Sequence, residues 1–311
     1  MVSAVIFVAT SCVSPLTGFA FWETNLAYEG ESIYNYLQVK NLSDRTILST
    51  NVLFGVQSVT MKDKGLTGMY YDTALAAPAL ADNANSALIL GMGTGTYARQ
   101  LKQYYPKMNI TGVEIDQKIT DLAGEYFDEP ADIPVTTYDG RAWLAASHDK
   151  YDVIMVDAYQ DITIPFQMSS TEFFTMVREH LNPGGVMVVN MNMISDGQGS
   201  INEALSDTIA SVFGNGNTLT ADVPNTTNRE LFAKKPGSGS EENSMQQASK
   251  ALNLRETTYE RTGSEDLEWY MEEVASRFRK VNEPDSASTI LTDDKAPVEV
   301  LGMHAIDQII A

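Results

Sequence analysis

The chain has 311 residues, 43% of them hydrophobic and 20% charged, with a formal net charge of −20. This length and composition exclude a disordered chain and leave room for one large globular domain or two unequal ones. The acidic balance excludes nucleic acid as a partner, because phosphates would be repelled, and suits small cationic molecules.

Met1 to Trp22 contains no charged residue, about the length of a membrane span. It lacks the Lys/Arg start of a secretory signal, and its strongest apolar run is only "AVIFVA". It reads as a weak membrane anchor or as an apolar arm. It also holds the single cysteine, Cys12, which cannot close an internal disulfide; a reducing compartment fits. The histidines, His148, His180 and His304, are far apart, so no metal site is expected.

Residues 23–75 read as a small antiparallel β domain. "SIYNYLQVK" and "RTILSTNVLFGVQSVTM" are rich in β-formers and separated by the polar "NLSD". "MYYDTALAAPALAD" then has helical composition, with Pro78 required to end or kink it. Residues 76–235 alternate short apolar strands with helices: "ALILGM", "YARQLKQYY", "NITGVEID", "QKITDLAGEYF", "PVTTYDG", "RAWLAAS", "YDVIMVDAY", "SSTEFFTMVREHL", the turn "NPGG" and "VMVVNM". That alternation predicts a doubly wound, mostly parallel α/β sheet covered on both faces. Residues 236–311 read as a flexible loop, two helices ("MQQASKALNL" and "DLEWYMEEVASRFRKV") and an irregular tail.

The stretch "ILGMGTGTYARQL" joins the first strand of this sheet to a helix with Gly91, Gly93 and Gly95 at alternate positions. Glycine permits the turn and lets backbone N–H groups approach a ligand. The dinucleotide fingerprint needs its third glycine where Thr96 stands, so the loop suits a nucleoside without a pyrophosphate. Glu114, ending the next strand in "GVEID", lies at the distance expected of a ribose-binding acid. Asp139, with Gly140 beside it in "YDGRAW", ends the third strand, where it can hold an adenine edge. Trp143, Phe173 and Phe174 read as core.

In this order the motifs resemble the spermidine synthase (polyamine aminopropyltransferase) family, especially the spermidine-synthase-like domain of fused membrane forms. The resemblance covers residues 29–194 through "ESIYNYLQV", "LFGVQSV", "YYDTALAAPAL", "LILGMGTGTYARQL", "GVEID", "DGRAWL", "YDVIMVDAYQDITIPFQMSSTEFF" and "LNPGGVMVVNMN", and returns in "LTDDKAPVEVL". It implies a class I S-adenosylmethionine-type, Rossmann-like fold behind the small β domain. It implies decarboxylated S-adenosylmethionine as co-substrate, no permanently bound cofactor, and transfer of its aminopropyl group to a cationic amine such as putrescine. Asp157 matches the catalytic aspartate and Tyr70 the tyrosine that assists it. Asp72 and Asp161 fall near acidic positions that hold the diamine. Asn35 and Gln57 match cleft-facing positions of the β domain. Gly91, Gly93, Thr94, Gly95, Glu114, Asp139 and Gly140 match the nucleoside side. The resemblance also implies a homo-oligomer, commonly a dimer, with its catalytic domain in the cytoplasm.

Two departures stand out. The family loop G-G-G-D-G carries an aspartate that grips the aminopropyl amine; here that position is Thr94, and a hydroxyl cannot replace the charge pairing. The family's "DSSD"-like loop becomes "DAYQD". Three readings follow: an aminopropyltransferase, an S-adenosylmethionine-dependent methyltransferase on the same fold, or a non-catalytic nucleoside-binding homologue.

Overall fold

The computed structural model describes residues 20, 23–51, 55–63, 65–128, 130–158, 164–192, 199–237, 254–286 and 288–303. The N-terminal apolar segment, apart from Ala20, and the "MQQASKALNL" stretch, apart from Leu254, lie outside them. Among the described residues no helix is long and apolar enough to cross a membrane, and no group of His, Cys, Asp and Glu has a metal-binding arrangement.

Four antiparallel strands form the first sheet: β1 (Leu26–Glu31), β2 (Tyr36–Asn41), β3 (Arg45–Thr50) and β4 (Ser58–Met61). Sequence analysis missed most of β1, whose residues are only half-buried and show no clean alternation. The buried side chains Leu37, Val39 and Leu48 pack on Ile119, Leu122 and Phe127. This contact lays the small sheet over the second βα unit of the larger one.

The second sheet has the order β12-β10-β11-β9-β8-β5-β6-β7. Its parallel part is β5 (Ser86–Leu90), β6 (Asn109–Glu114), β7 (Val135–Thr137), β8 (Tyr151–Val156) and β9 (Leu181–Met191). β10 (Thr218–Asp222), β11 (Arg229–Lys234) and β12 (Arg279–Lys280) extend it antiparallel. One face carries α1 (Tyr70–Ala74), α2 (Ala76–Leu80), α3 (Thr96–Tyr104), α8 (Leu254–Thr262) and α9 (Glu265–Arg277). The other carries α5 (Gly140–Ala146), α6 (Thr171–His180) and α7 (Ile201–Phe213). α4 (Gln117–Tyr126) lies under the small sheet.

Local chemistry sets these boundaries. The predicted helix around Pro78 is two short ones, broken at Leu75, so Pro78 falls in the first turn of α2, where its missing N–H costs no helical bond. Asp116, Asp139, Ser170, Ser200 and Ser264 cap α4, α5, α6, α7 and α9, each accepting a first-turn N–H. The predicted "NPGG" turn is absorbed into β9 as an irregularity, with Gly184 at φ +78°. The predicted last helix stops at Arg277. Phe278 then packs edge-on against Phe232, and the chain pairs with β10 instead.

Candidate active site

The sheet order reverses between β5 and β8, and the chain ends of these two strands meet there. Asp157, one residue past β8, donates its backbone N–H to Leu90 O at 2.9 Å. That crossing requires Gly91: a Cβ on it would stand 2.3 Å from Asp157 O, and its φ is +90°. Gly93, at φ +55°, would place a Cβ 2.8 Å from Ser58 Oγ, so the loop is also pressed against the small sheet. The first two glycines of the loop therefore serve close chain packing.

Asp157 is the centre of the arrangement. Tyr70 donates its hydroxyl to Asp157 Oδ2 at 2.6 Å, and Asn190 donates its amide to Oδ1 at 2.9 Å. Desolvation raises the Asp157 carboxyl to about 7, against the pull of those two donors. Burial, then the field of Asp157, holds the Tyr70 hydroxyl well above its ordinary value, so it remains a donor. Tyr71 stacks on Tyr70 with ring centroids 4.0 Å apart and donates to Gln57 O at 2.7 Å. Asn228 donates to Asn190 Oδ1 at 2.9 Å.

On the other side of Gly91, Glu114 accepts from Gly93 N at 2.8 Å and from Asp116 N at 3.0 Å. Burial raises its carboxyl, and each oxygen retains a lone pair for a further donor. Asp139 accepts from Ala142 N at 2.7 Å with Oδ1. Asn35 donates to Asp116 Oδ2 at 3.0 Å and accepts from Asn51, tying the β1–β2 turn to the cap of α4.

Gly91, Gly93, Glu114, Asp139, Gly140, Asp157, Tyr70, Gln57 and Asn35 line one cavity of about 530 Å³. Among the described residues its wall carries the acids Glu114, Asp139 and Asp157 and no Lys, Arg or His.

Three predicted site residues lie elsewhere. Asp72 is fully buried and does not line the cavity; its carboxylate is consumed by Thr67 N, Thr67 Oγ1, Gly68 N and Gln100 Nε2. It fixes the entry to α1. Thr94 is turned away behind the loop, fully buried, with no partner for its hydroxyl among the described residues. Its backbone faces Ser58 and Arg99 instead. Gly95, at φ +81°, is the N-cap of α3 and is also off the wall. Asp161 lies outside the described residues. Asn190, Asn228 and Tyr71 join the site without having stood out in the sequence as candidates. Asn190 was visible as the polar break in the apolar strand "VMVVNM".

The tail braces the cavity from outside. Asp293 takes a two-pronged ion pair from Arg141, with contacts of 2.7 and 2.6 Å, and accepts from Ser170 Oγ. Arg141 also donates to Gln167 O at 2.7 Å, and Gln167 is part of the wall.

A family model, spermine/spermidine synthase domain, matches residues 69–235. The chain is 37% identical over 131 residues to a polyamine aminopropyltransferase of Corynebacterium efficiens, a match covering 38% of this chain and 25% of that protein. It is 28% identical over 209 residues to a polyamine aminopropyltransferase of Vibrio vulnificus, covering 64% and 69%. It thus spans a quarter of the length of the first relative and about two thirds of the second. Spermidine synthase from Thermotoga maritima superposes with a TM-score of 0.55 at 20% identity, over 68% of this chain and 73% of that one. This last likeness is one of fold.

Proposed function

The chain belongs to the spermine/spermidine synthase family, and we propose that it transfers the aminopropyl group of decarboxylated S-adenosylmethionine to a diamine such as putrescine, giving spermidine and methylthioadenosine. The observation that carries this reading is the sign of the cavity wall: among the described residues it has three carboxyl residues and no basic side chain. Such a wall favours a sulfonium nucleoside with an ammonium tail and a cationic acceptor. It offers no cation to hold the carboxylate of unmodified S-adenosylmethionine.

In this reading the nucleoside lies over Gly91 and Gly93, with its ribose on Glu114 and its adenine edge at Asp139 and Gly140. The acceptor amine sits at Asp157. An alkylammonium has a pKa of about 10.4, so its lone pair is occupied at neutral pH. Asp157, raised to about 7, narrows the proton-transfer gap to about 3.4 units, against about 6.6 for an ordinary aspartate. Tyr70 and Asn190 each hold one carboxylate oxygen, which fixes the orientation of the base. The freed nitrogen lone pair attacks the methylene carbon beside sulfur. The carbon–sulfur bond breaks with its electron pair going to sulfur, which leaves as a neutral thioether. The amine proton ends on Asp157 and passes to solvent. Alignment of nitrogen, carbon and sulfur supplies much of the rate, because the sulfonium is already a good leaving group.

The neutral Thr94 favours the methyltransferase reading, since an acid there is not needed for methyl transfer. Mass spectrometry of the protein with decarboxylated S-adenosylmethionine and a panel of amines separates the two, with unmodified S-adenosylmethionine in parallel. Methylthioadenosine together with a lengthened amine, lost in Asp157→Asn, is expected. No methylthioadenosine with any amine overturns the proposal. S-adenosylhomocysteine in the parallel reaction would favour methyl transfer.

A further inference from the structure

Glu230, in β11, has no exposed surface, and neither of its carboxyl oxygens has a hydrogen-bond partner among the described residues. A buried, unsatisfied carboxyl is costly and demands a reason. Burial, then the neighbouring Asp157, pushes its carboxyl well above the usual carboxylate range, which favours the neutral form.

The sheet register gives its position. Glu230 pairs with Asn190 of β9, and Asn190 holds Asp157 at the end of β8. Phe232 and Val188, two residues from Glu230 and Asn190, share a core cluster with Met155, two residues before Asp157. Strand alternation therefore points Asp157, Asn190 and Glu230 to one face. Neighbouring strands are about 4.8 Å apart, so the row spans about 10 Å and runs away from the nucleoside side. The cavity extends along it: Asn190 and Asn228 line the wall, Asn228 lies just ahead of β11 and two residues before Glu230, and Glu230 stands behind them, off the wall. The nitrogens of an extended four-carbon diamine are about 6 Å apart. With one nitrogen at Asp157, the other reaches the Asn190–Asn228 pair, beside Glu230.

We propose that Glu230 is an acceptor-specificity residue, a carboxyl behind the Asn190–Asn228 wall that receives the second ammonium of a diamine. The inference rests on the aminopropyl-transfer reading. An ammonium at this point favours the ionised carboxyl, whose proton leaves to solvent as the diamine binds.

The test compares 1,4-diaminobutane with butylamine as acceptors for the full chain, wild type and Glu230→Gln, with kcat/KM followed by methylthioadenosine release. The wild type is expected to prefer the diamine, and Glu230→Gln to lower the diamine-to-monoamine ratio at least tenfold, mostly through KM. An unchanged ratio overturns the inference while leaving aminopropyl transfer intact. The ratio is taken within one preparation, so a reduced folded fraction cancels. No turnover with either amine would instead overturn the transferase reading. If Glu230→Gln does not fold, calorimetry on the wild type in buffers of differing ionisation enthalpy decides. Greater proton release with the diamine than with butylamine supports Glu230, and equal release overturns it.

Discussion

Asp157 must be ionised to accept a proton, and its carboxyl is held at about 7. The acid limb of kcat/KM should therefore fall about tenfold per pH unit below that value. Asp157→Asn should lose about 10²- to 10⁴-fold in activity and the limb with it. The same shift has a stability consequence. Its folded pKa is raised, so between about pH 4 and 7 the folded state keeps a proton that the unfolded state has lost. The group's contribution to stability falls across that window and is level above it. Asp157→Asn should thus melt higher than wild type at pH 8, with the gap closing below pH 4; a variant that melts lower at pH 8 would contradict the raised pKa. Tyr70→Phe removes a donor that favours the ionised carboxylate. A hydrogen bond to a charged group is worth about 1.5–3 kcal/mol, so the acid limb should move up by about one to two pH units. A limb that stays in place would show that Tyr70 does not act through Asp157.

At the scale of elements, the site is held by contacts between segments distant in sequence. Gly91→Ala would force a Cβ into the Asp157 carbonyl at a φ of +90°. A loss of about 3 kcal/mol or more is expected, read as a lower denaturant midpoint. The tail is a second such contact: Asp293→Ala frees Arg141, Ser170 and, through Arg141, the Gln167 carbonyl. Because Gln167 belongs to the wall, the variant should raise KM for the nucleoside several-fold with a smaller change in kcat. An unaltered KM would make the tail a brace for stability alone. These elements also show what the sequence carried. Gly91, Glu114, Asp139 and Asp157 were legible because each ends a strand, and strand ends converge in any sheet of this kind. Asp72 and Thr94 stand off the cavity wall because position along a motif does not give side-chain direction: Thr94 sits between two left-handed glycines, its backbone engages Ser58 and Arg99, and its side chain is buried. Asn190 was visible as a polar break in an apolar strand, whereas Glu230 follows Arg229 at the start of "RELFAK" and gave no such signal. Their roles depend on the β9–β11 register, a non-local fact. β10, β11 and β12 were missed for the same reason, since their pairing is set from outside their own short segments.

For the whole molecule, the net charge of −20 and the acid-lined cavity act in one direction. A dication is drawn toward the protein over a distance set by the Debye length, about 10 Å at 0.1 M salt and 3 Å at 1 M. The attraction should appear in kcat/KM for the diamine and vanish for ligands without charge. We expect kcat/KM for the diamine to fall by about threefold or more between about 0.02 and 0.5 M salt. The inhibition constant of methylthioadenosine, a neutral thioether that occupies the nucleoside half, should stay level over the same range. If both constants moved together, salt would be acting on the fold. If neither moved, the surface charge would serve solubility alone, and recognition of the acceptor would rest on the carboxyls inside the cavity, where salt does not reach.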